Sequence, residues 1–339
     1  MQLDPHAARH ELNSDTLDAV KARFDVALTK FIARARQDQY ILAVIVAGSM
    51  SHDRVWEKSD LDLIIIVDER SIPKSRKDMT GYTLMEEGVH ISTVMTTRTA
   101  FRKQVEGEMQ SSFMHSLLAQ SYLAFSRDET IKELFEGIGH FGSRDQQVQL
   151  LNAAADTVPA LYKAEKWFYV HGDCEYAFSY ILYVVQGLAH IEVQLDGQIT
   201  AREVIQQAMQ INPEFFKRLY TDLINAKKTP EIIVAALADI DQYLTRKTRT
   251  LFAPILTYLD EAGAPRSATD ISSYFKRNFG TDSAVTACTW LADKDMITRM
   301  SMPIRLTEKS KVSFDEMAFF YQSDASTDPL HRREEGSTL

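Results

Sequence analysis

The sequence predicts an α+β protein with an N-terminal domain built on a mixed sheet, a central helical bundle and a small C-terminal module of helices and strands. Two continuous apolar runs, residues 41–46 and Leu61–Val67, indicate buried strands. Apolar residues at helical spacing dominate from about residue 145 to residue 258. Gly263-Ala264-Pro265 then interrupts the helical pattern and marks a boundary. We expect domains at residues 1–140, 141–260 and 261–321, followed by a disordered tail at 322–339.

The composition is that of an ordinary globular protein. Hydrophobic residues make up 45% of the 339 residues and charged residues 25%, with a formal net charge of -9. An acidic chain is not globally suited to bind nucleic acid, although a local basic patch stays possible. The two cysteines, Cys174 and Cys288, have no metal-ligand spacing and indicate a reducing compartment. The apolar runs are far shorter than the ~20 residues of a membrane helix. We therefore expect a cytoplasmic protein with no membrane partner.

The N-terminal elements follow from the pattern of apolar residues. Ser14 can cap a helix whose apolar side chains recur every three or four residues. The strand at 41–46 ends at Ala47-Gly48-Ser49, and a second strand follows Asp60. Residues 82–86 and 89–95 then read as two strands joined by a Glu87-Gly88 turn. From about residue 100 onward the pattern becomes helical, with Phe113, Leu117, Leu118 and Tyr122 predicted on one helix face.

The candidate chemistry lies in Gly48-Ser49 and in Asp60-Leu61-Asp62. Because side chains alternate along a strand, Asp60 and Asp62 point the same way while Leu61 enters the core. Two adjacent carboxylates repel each other unless a cation lies between them, and Mg²⁺ prefers such oxygen ligands together with substrate phosphates. Gly48 allows the backbone to approach a phosphate, and Ser49 offers a hydroxyl and an amide donor. The pattern predicts a site for Mg²⁺ and a nucleotide.

These residues resemble a known family. Val46-Ala47-Gly48-Ser49 followed by Ser59-Asp60-Leu61-Asp62-Leu63 is similar to the signature of the DNA polymerase β-like nucleotidyltransferase superfamily. The nearer likeness is to bacterial antibiotic nucleotidyltransferases of the kanamycin or aminoglycoside type, and the motif resemblance covers about residues 40 to 95. It implies that Gly48, Ser49 and Ser59 bind the nucleoside triphosphate (NTP) and that Asp60 and Asp62 bind Mg²⁺.

The chain departs from this family at one position. Many members place a third carboxylate on a later strand, as a metal ligand or general base. The corresponding strand here has no acid, and His90 and Ser92 occupy the positions that would face the site. His90 can act as a base near neutral pH, or it can be an ordinary strand histidine. The missing acid puts catalysis in doubt but leaves nucleotide binding intact.

The helical block offers candidate residues for the acceptor. Polar and aromatic side chains cluster around His171-Gly172-Asp173. In the resembling enzymes a helical domain faces the nucleotide and presents acids to the acceptor, which would make Asp173 or Glu175 a candidate base. The alternative is a polar turn between two helices. We expect this domain to border the nucleotide cleft, because pockets tend to lie between domains.

Residues 266–321 suggest a winged helix. We expect helices at 267–279 and 282–294 and short wing strands at 296–300 and 304–307. The second helix, which would read DNA, carries Asp282 and Asp293 and only Lys294 at its end. DNA readers usually place Arg, Lys, Asn or Gln there. DNA is therefore a possible but not favoured partner, and a structural or dimerising module is at least as good an interpretation.

Two functions follow from these observations. The first is a Mg²⁺-dependent nucleotidyltransferase that moves a nucleoside monophosphate from an NTP to the hydroxyl of an unidentified small-molecule or macromolecular acceptor. The alternative is a catalytically impaired, nucleotide-binding regulator whose winged helix binds DNA or protein. The intact pair Asp60 and Asp62 favours the enzyme, and the missing third acid favours the regulator.

Overall fold

The computed structural model describes residues 14–52, 58–71, 80–108, 118, 120–137 and 143–323. The chain divides into two compact units, Met1–Gly142 and Ser143–Leu339. The first contains a mixed five-stranded sheet and the second a helical bundle with a small three-stranded sheet, which confirms the predicted α+β class. Among the described residues, no helix has the length and apolar character needed to cross a membrane.

The first unit consists of helices packed around one sheet. Its elements are α1 Ser14–Ala35, β1 Ile41–Ala47, β2 Leu61–Val67, β3 Thr80–Glu86, β4 Val89–Thr97, α2 Arg98–Glu108, β5 Tyr122–Ser126 and α3 Glu129–Glu136. The strand order is β3-β4-β2-β1-β5, so β2 is central. The β2–β4 pair is parallel and the other pairs are antiparallel. The four strands predicted before residue 100 are confirmed.

Both faces of the sheet carry a core. Leu61 and Leu63 of β2 pack in one cluster with Ile91 of β4 and with Phe24 and Phe31 of α1. The alternate side chains of β1 and β2 lie in a second cluster, which includes Ala43, Ile45, Ile66, Phe101 of α2 and Ile131 of α3. A strand between two cores needs apolar residues at both alternating positions, which explains the continuous apolar runs of β1 and β2.

Strand β5 corrects one prediction. Tyr122 does not share a helix face with Leu118. It begins β5 and pairs with Val46 of β1. Phe113 and Leu117, the other members of that predicted face, lie outside the described residues. A five-residue apolar segment cannot be identified as helix or strand from periodicity alone, and its hydrogen bonds to β1 decide its structure.

The second unit begins with two long paired helices and continues through shorter ones. Its helical elements are α4 Ser143–Tyr169, α5 Cys174–Leu195, α6 Val204–Ile211, α7 Pro213–Phe216, a π-helical turn Lys217–Asp222, α8 Leu223–Asn225, α9 Pro230–Leu251 and α10 Ala253–Ala262. Pro213 occupies the first turn of α7, as the Asn212-Pro213 sequence predicts. The predicted helical bundle is confirmed.

The C-terminal elements share the core of the bundle. They are β6 Arg266–Ser267, α11 Ala268–Phe279, α12 Ala284–Asp293, β7 Thr298–Ile304 and β8 Phe314–Phe320, with strand order β6-β8-β7. One hydrophobic cluster extends from Leu150 of α4 to Phe319 of β8. Ser323 donates from its backbone N and its Oγ to the two carboxylate oxygens of Asp260, each at 2.8 Å. Residues 324–339, most of the predicted tail, lie outside the described residues.

The predicted position of the second wing strand is wrong. Residues 304–307 are not a separate strand, because β7 runs without a break to Ile304, which pairs with Phe314 of β8. The sequence predicts two short strands, one on each side of Pro303. β7 is an edge strand of the described sheet, where a proline without an N–H group is tolerated. The strand therefore continues through Pro303.

Candidate active site

A close approach between Gly48 and Asp62 forms the centre of the site. Gly48 follows β1 with a left-handed backbone, φ +70°. Its neighbour Ala47 pairs with Asp62 on β2. A Cβ atom on residue 48 would lie 2.1 Å from Asp62 Oδ2, well inside van der Waals contact. Glycine is therefore required here both by the backbone conformation and by the carboxylate that lies against it.

The turn after Gly48 is anchored to the domain. Residues Gly48–His52 form a short 3₁₀ helix. The Ser51 hydroxyl donates to the Gly48 carbonyl at 2.7 Å, and Met50 is buried in the core on the α1 side of the sheet. Ser49 is half-buried. The backbone of the Gly48-Ser49 turn is thus held in place beside the Asp62 carboxylate.

The two predicted metal ligands lie at the start of the central strand. Leu61 is fully buried against α1, whereas Asp62 is half-buried and Asp60 is exposed. This alternation directs Asp62 to the sheet face opposite α1. Ser59, predicted to contact the nucleotide, is half-buried in the segment that leads into β2.

Polar side chains on β4 and β3 extend the face that carries Asp62. In the parallel register, Asp62 pairs with Ser92, and Leu61 pairs with Ile91. Continuing that register by one residue sets His90 beside Asp60. His90 is exposed, whereas its neighbours Val89 and Ile91 are buried toward α1. The strand that carries His90 is therefore the immediate neighbour of the strand that carries the aspartates.

The donor set fits a divalent cation. Asp60 and Asp62 supply hard carboxylate oxygens at the start of one strand, and Asp62 lies against Gly48, which has no Cβ atom to displace the carboxylate. Within the described ranges, no group of three or more His, Cys, Asp or Glu side chains is arranged to hold a metal. Mg²⁺ is commonly held by one or two carboxylates together with waters and substrate phosphates, so two aspartates are a suitable protein contribution.

The predicted acceptor-side residues lie in the second unit. Asp173 is the N-cap of α5, and its Oδ1 accepts a hydrogen bond from the backbone N of Tyr176 at 2.8 Å. Glu175 is exposed in the first turn of the same helix. The Trp167 ring contacts the rings of His171 and Tyr176, with centroids 4.3 and 4.2 Å apart. Asp173 thus has a structural task as a helix cap.

Two further residues lie on the site face and were not predicted from the sequence. Thr83 pairs with Ser92, and Met85 pairs with His90, so both lie on the face that carries Asp62. Both are exposed, Met85 to 65%. The signal was present in the Glu87-Gly88 turn, because a two-residue turn determines which residues of a hairpin face each other. Because Thr83 and Met85 are distant from Asp62 in the sequence, their position on the same sheet face was not predicted.

Comparisons with known proteins identify the fold. No protein-family model matches the chain, and no curated protein matches it. Among solved structures, the chain is similar to a nucleotidyltransferase-like protein from Exiguobacterium sibiricum, with a TM-score of 0.59 and 15% sequence identity. The match covers 88% of this chain and 98% of the other. The chain therefore has a nucleotidyltransferase-like fold.

Proposed function

We propose that this protein is a Mg²⁺-dependent nucleotidyltransferase that moves a nucleoside monophosphate from an NTP to an acceptor hydroxyl. The contact between Gly48 and the Asp62 carboxylate carries this proposal. It places a glycine turn, whose backbone N–H groups can bind phosphate, beside a carboxylate on the central strand that can bind a metal, next to a second acid, Asp60. The nucleotidyltransferase-like fold supports the same function.

The residues of the site have separate tasks in this proposal. The Gly48-Ser49 turn, together with Ser59, binds the triphosphate through its backbone N–H groups and hydroxyls. Asp60 and Asp62 would hold Mg²⁺, which, when bound, neutralises phosphate charge. The acceptor oxygen forms a bond to the α-phosphorus while the bond from that phosphorus to the bridging oxygen breaks and pyrophosphate leaves. Such catalysis depends mostly on positioning and charge neutralisation.

His90 is the proposed general base. It is exposed on the strand next to β2, and the β2–β4 register continues to the position of Asp60. In its neutral form, the imidazole can take the proton that the acceptor hydroxyl loses. This assignment replaces the third carboxylate of the resembling family with a histidine. Asp173 is less suited to act as the base, because its carboxylate caps α5.

We further propose that residues 261–321 are a winged helix with a structural role. The order β6, α11, α12, β7, β8 and the sheet order β6-β8-β7 support this interpretation. Helix α12 is held against α4, since Ser283 Oγ donates to Asp156 Oδ1 at 2.9 Å and Tyr162 Oη to Asp293 Oδ2 at 3.1 Å. A helix packed in this way is poorly available to a DNA groove.

If the protein is instead a DNA-binding regulator, the affinity of this module for duplex DNA should show it. A DNA-reading winged helix requires specific duplex binding, typically ~10⁻⁸ M or tighter at physiological salt. We expect no specific duplex binding tighter than about 10⁻⁷ M, because basic contacts are scarce on α12. A selection from random duplexes that returns a reproducible nanomolar site would favour the regulator.

A transfer assay tests the enzyme. The protein is incubated with Mg²⁺ and each α-labelled NTP, with RNA, an aminoglycoside and the protein itself as acceptors. The Asp60→Asn, Asp62→Asn double variant is the control, and it should fold normally because a repelling pair is removed. We expect transfer and calorimetric MgNTP binding in the wild type only. Equal MgNTP affinity in the double variant would disprove the metal assignment, and MgNTP binding by the wild type without transfer would favour the catalytically impaired regulator.

A further inference from the structure

The sheet face that carries Asp62 continues as an open surface across β4 and β3. Ser92 pairs with Asp62 and Thr83 with Ser92, while Met85 pairs with His90 in the neighbouring row. Thr83, Met85 and His90 are exposed, and Ser92 is half-buried. We call these four residues, Thr83, Met85, His90 and Ser92, the β3–β4 platform.

A tight hairpin positions the platform. Glu87 and Gly88 have left-handed backbones, with φ of 50° and 73°, which is typical of a two-residue hairpin turn. A slip of one residue would turn Thr83 and Met85 toward α1. The hairpin is also tied to α1, since Lys30 Nζ bonds Glu87 Oε1 at 2.5 Å and Arg34 pairs with Glu86. The platform therefore belongs to a well-defined part of the sheet.

In-line displacement decides which side of the aspartates the acceptor occupies. The nucleophile and the leaving group lie on opposite sides of the α-phosphorus. The leaving pyrophosphate belongs with the Gly48-Ser49 turn, which follows β1 on one side of β2. The acceptor consequently approaches from the other side of β2, where β4 and β3 lie. The β3–β4 platform is the surface that it meets there.

The side chains of the platform indicate the class of acceptor. Ser92 and Thr83 offer hydroxyls that donate and accept hydrogen bonds, and neither carries a charge. Met85, at 65% exposure, offers a thioether that contacts aromatic rings favourably. Glu86 and Glu87 of the hairpin pair with Arg34 and Lys30 of α1, and the acids that adjoin the platform, Asp60 and Asp62, would hold Mg²⁺ in the proposed function. The surface thus suits an uncharged, partly apolar group better than a polycation.

We propose that the β3–β4 platform is the acceptor site and that it takes an uncharged alcohol or phenol, such as a tyrosine side chain in a polypeptide. This inference rests on the proposed transferase function. In it Met85 contacts the body of the acceptor, Thr83 and Ser92 bind its polar atoms, and its hydroxyl lies between His90 and the α-phosphorus.

Methionine-methyl NMR tests binding at the platform without catalysis. The Met85→Leu variant identifies the Met85 resonance, and N-acetyltyrosinamide is the probe. We expect a saturable shift of the Met85 methyl and none at Met300, which is 43% exposed in the second unit. Kanamycin and an oligoribonucleotide should leave Met85 unshifted. No Met85 shift with N-acetyltyrosinamide, or a shift with kanamycin or the oligoribonucleotide alone, would overturn the inference.

Transfer kinetics provide a second test with a matched control. Met85→Ala and Thr83→Ala should each raise the KM for N-acetyltyrosinamide about tenfold and leave the KM for MgNTP unchanged, because only acceptor contacts are lost. Leu84→Ala, on the same strand but facing α1, should change neither KM. If the Met85 methyl shifts but the protein binds no MgNTP, the transferase function is rejected and binding of the phenol at the platform stands. If the protein binds MgNTP but the Met85 methyl does not shift, the platform is not the acceptor site and the transferase function stands.

Discussion

Gly48→Ala is the most informative single substitution in this protein. The left-handed backbone at φ +70° costs an L-residue about 1–2 kcal/mol. The new Cβ would also lie 2.1 Å from Asp62 Oδ2, 3.0 Å from Cγ and 3.2 Å from Cβ. Rotation of the Asp62 side chain moves the carboxylate away, but its Cβ is held by β2. The free energy of unfolding therefore falls mainly by the cost of the left-handed backbone, whereas in the site the Asp62 carboxylate is displaced.

The expected result separates stability from function. Denaturant unfolding should show a loss of about 1–2 kcal/mol, from the backbone alone. Calorimetry should show weaker MgNTP binding than in the wild type, because the carboxylate is displaced, and turnover should fall about a hundredfold, the effect on rate that a displacement of ~1 Å can have.

Gly88→Ala is the matched control. Its φ is +73°, but a Cβ there would meet no atom within 4 Å, so it should cost similar stability and leave MgNTP affinity unchanged. Equal MgNTP affinity in Gly48→Ala and Gly88→Ala would refute the argument that the glycine exists to accommodate Asp62.

Three further predictions concern single side chains. His90→Gln should lower turnover about a hundredfold and leave NTP affinity unchanged, because general-base catalysis contributes ~10²–10⁴ in rate. Full activity in this variant would exclude His90 as the base. Burial, followed by repulsion from Asp241, raises the pKa of Glu165 above its usual 4.5. Because the folded protein thus favours the protonated form, Glu165→Gln should stabilise the protein at pH 7 and have little effect well below pH 4.5, where the group is protonated in both states. Unfolding at pH 7 and pH 3 tests this, and a gain confined to pH 3 would contradict it. Burial raises the pKa of Cys288 to about 12. A thiol reagent at pH 8 should therefore modify Cys174 alone until the protein is denatured. Rapid modification of Cys288 in the native protein would show that its thiol is not buried.

The continuous apolar runs and the short hairpin turn were interpreted correctly from the sequence. The runs that became β1 and β2 are apolar at every position because cores lie on both faces of the sheet. Two strand-like segments separated by the short Glu87-Gly88 turn predicted the β3–β4 hairpin, and both turn residues have left-handed backbones. These features are local, so the local sequence contains the information.

Weak or short segments were misread for a physical reason. Tyr122–Ser126 is only five residues long, and pairing with β1 makes it a strand. Pro303 resembles a strand end in the sequence, yet an edge strand tolerates it. In both places the outcome depends on the position of a segment in the sheet, which is a non-local property.

The sequence by itself determined the candidate chemistry, since Gly48, Ser49, Asp60 and Asp62 carry suitable groups next to recognisable strands. Only the tertiary structure decided how these residues meet. The antiparallel β1–β2 register brings Gly48 against the Asp62 carboxylate, and the parallel β2–β4 register sets Ser92 beside it. Thr83 joins the same row through a third pairing. Strand pairing connects residues that are distant in sequence through backbone hydrogen bonds. Outside a tight hairpin such as β3–β4, the spacing of residues along the chain does not specify which strands pair or in what register.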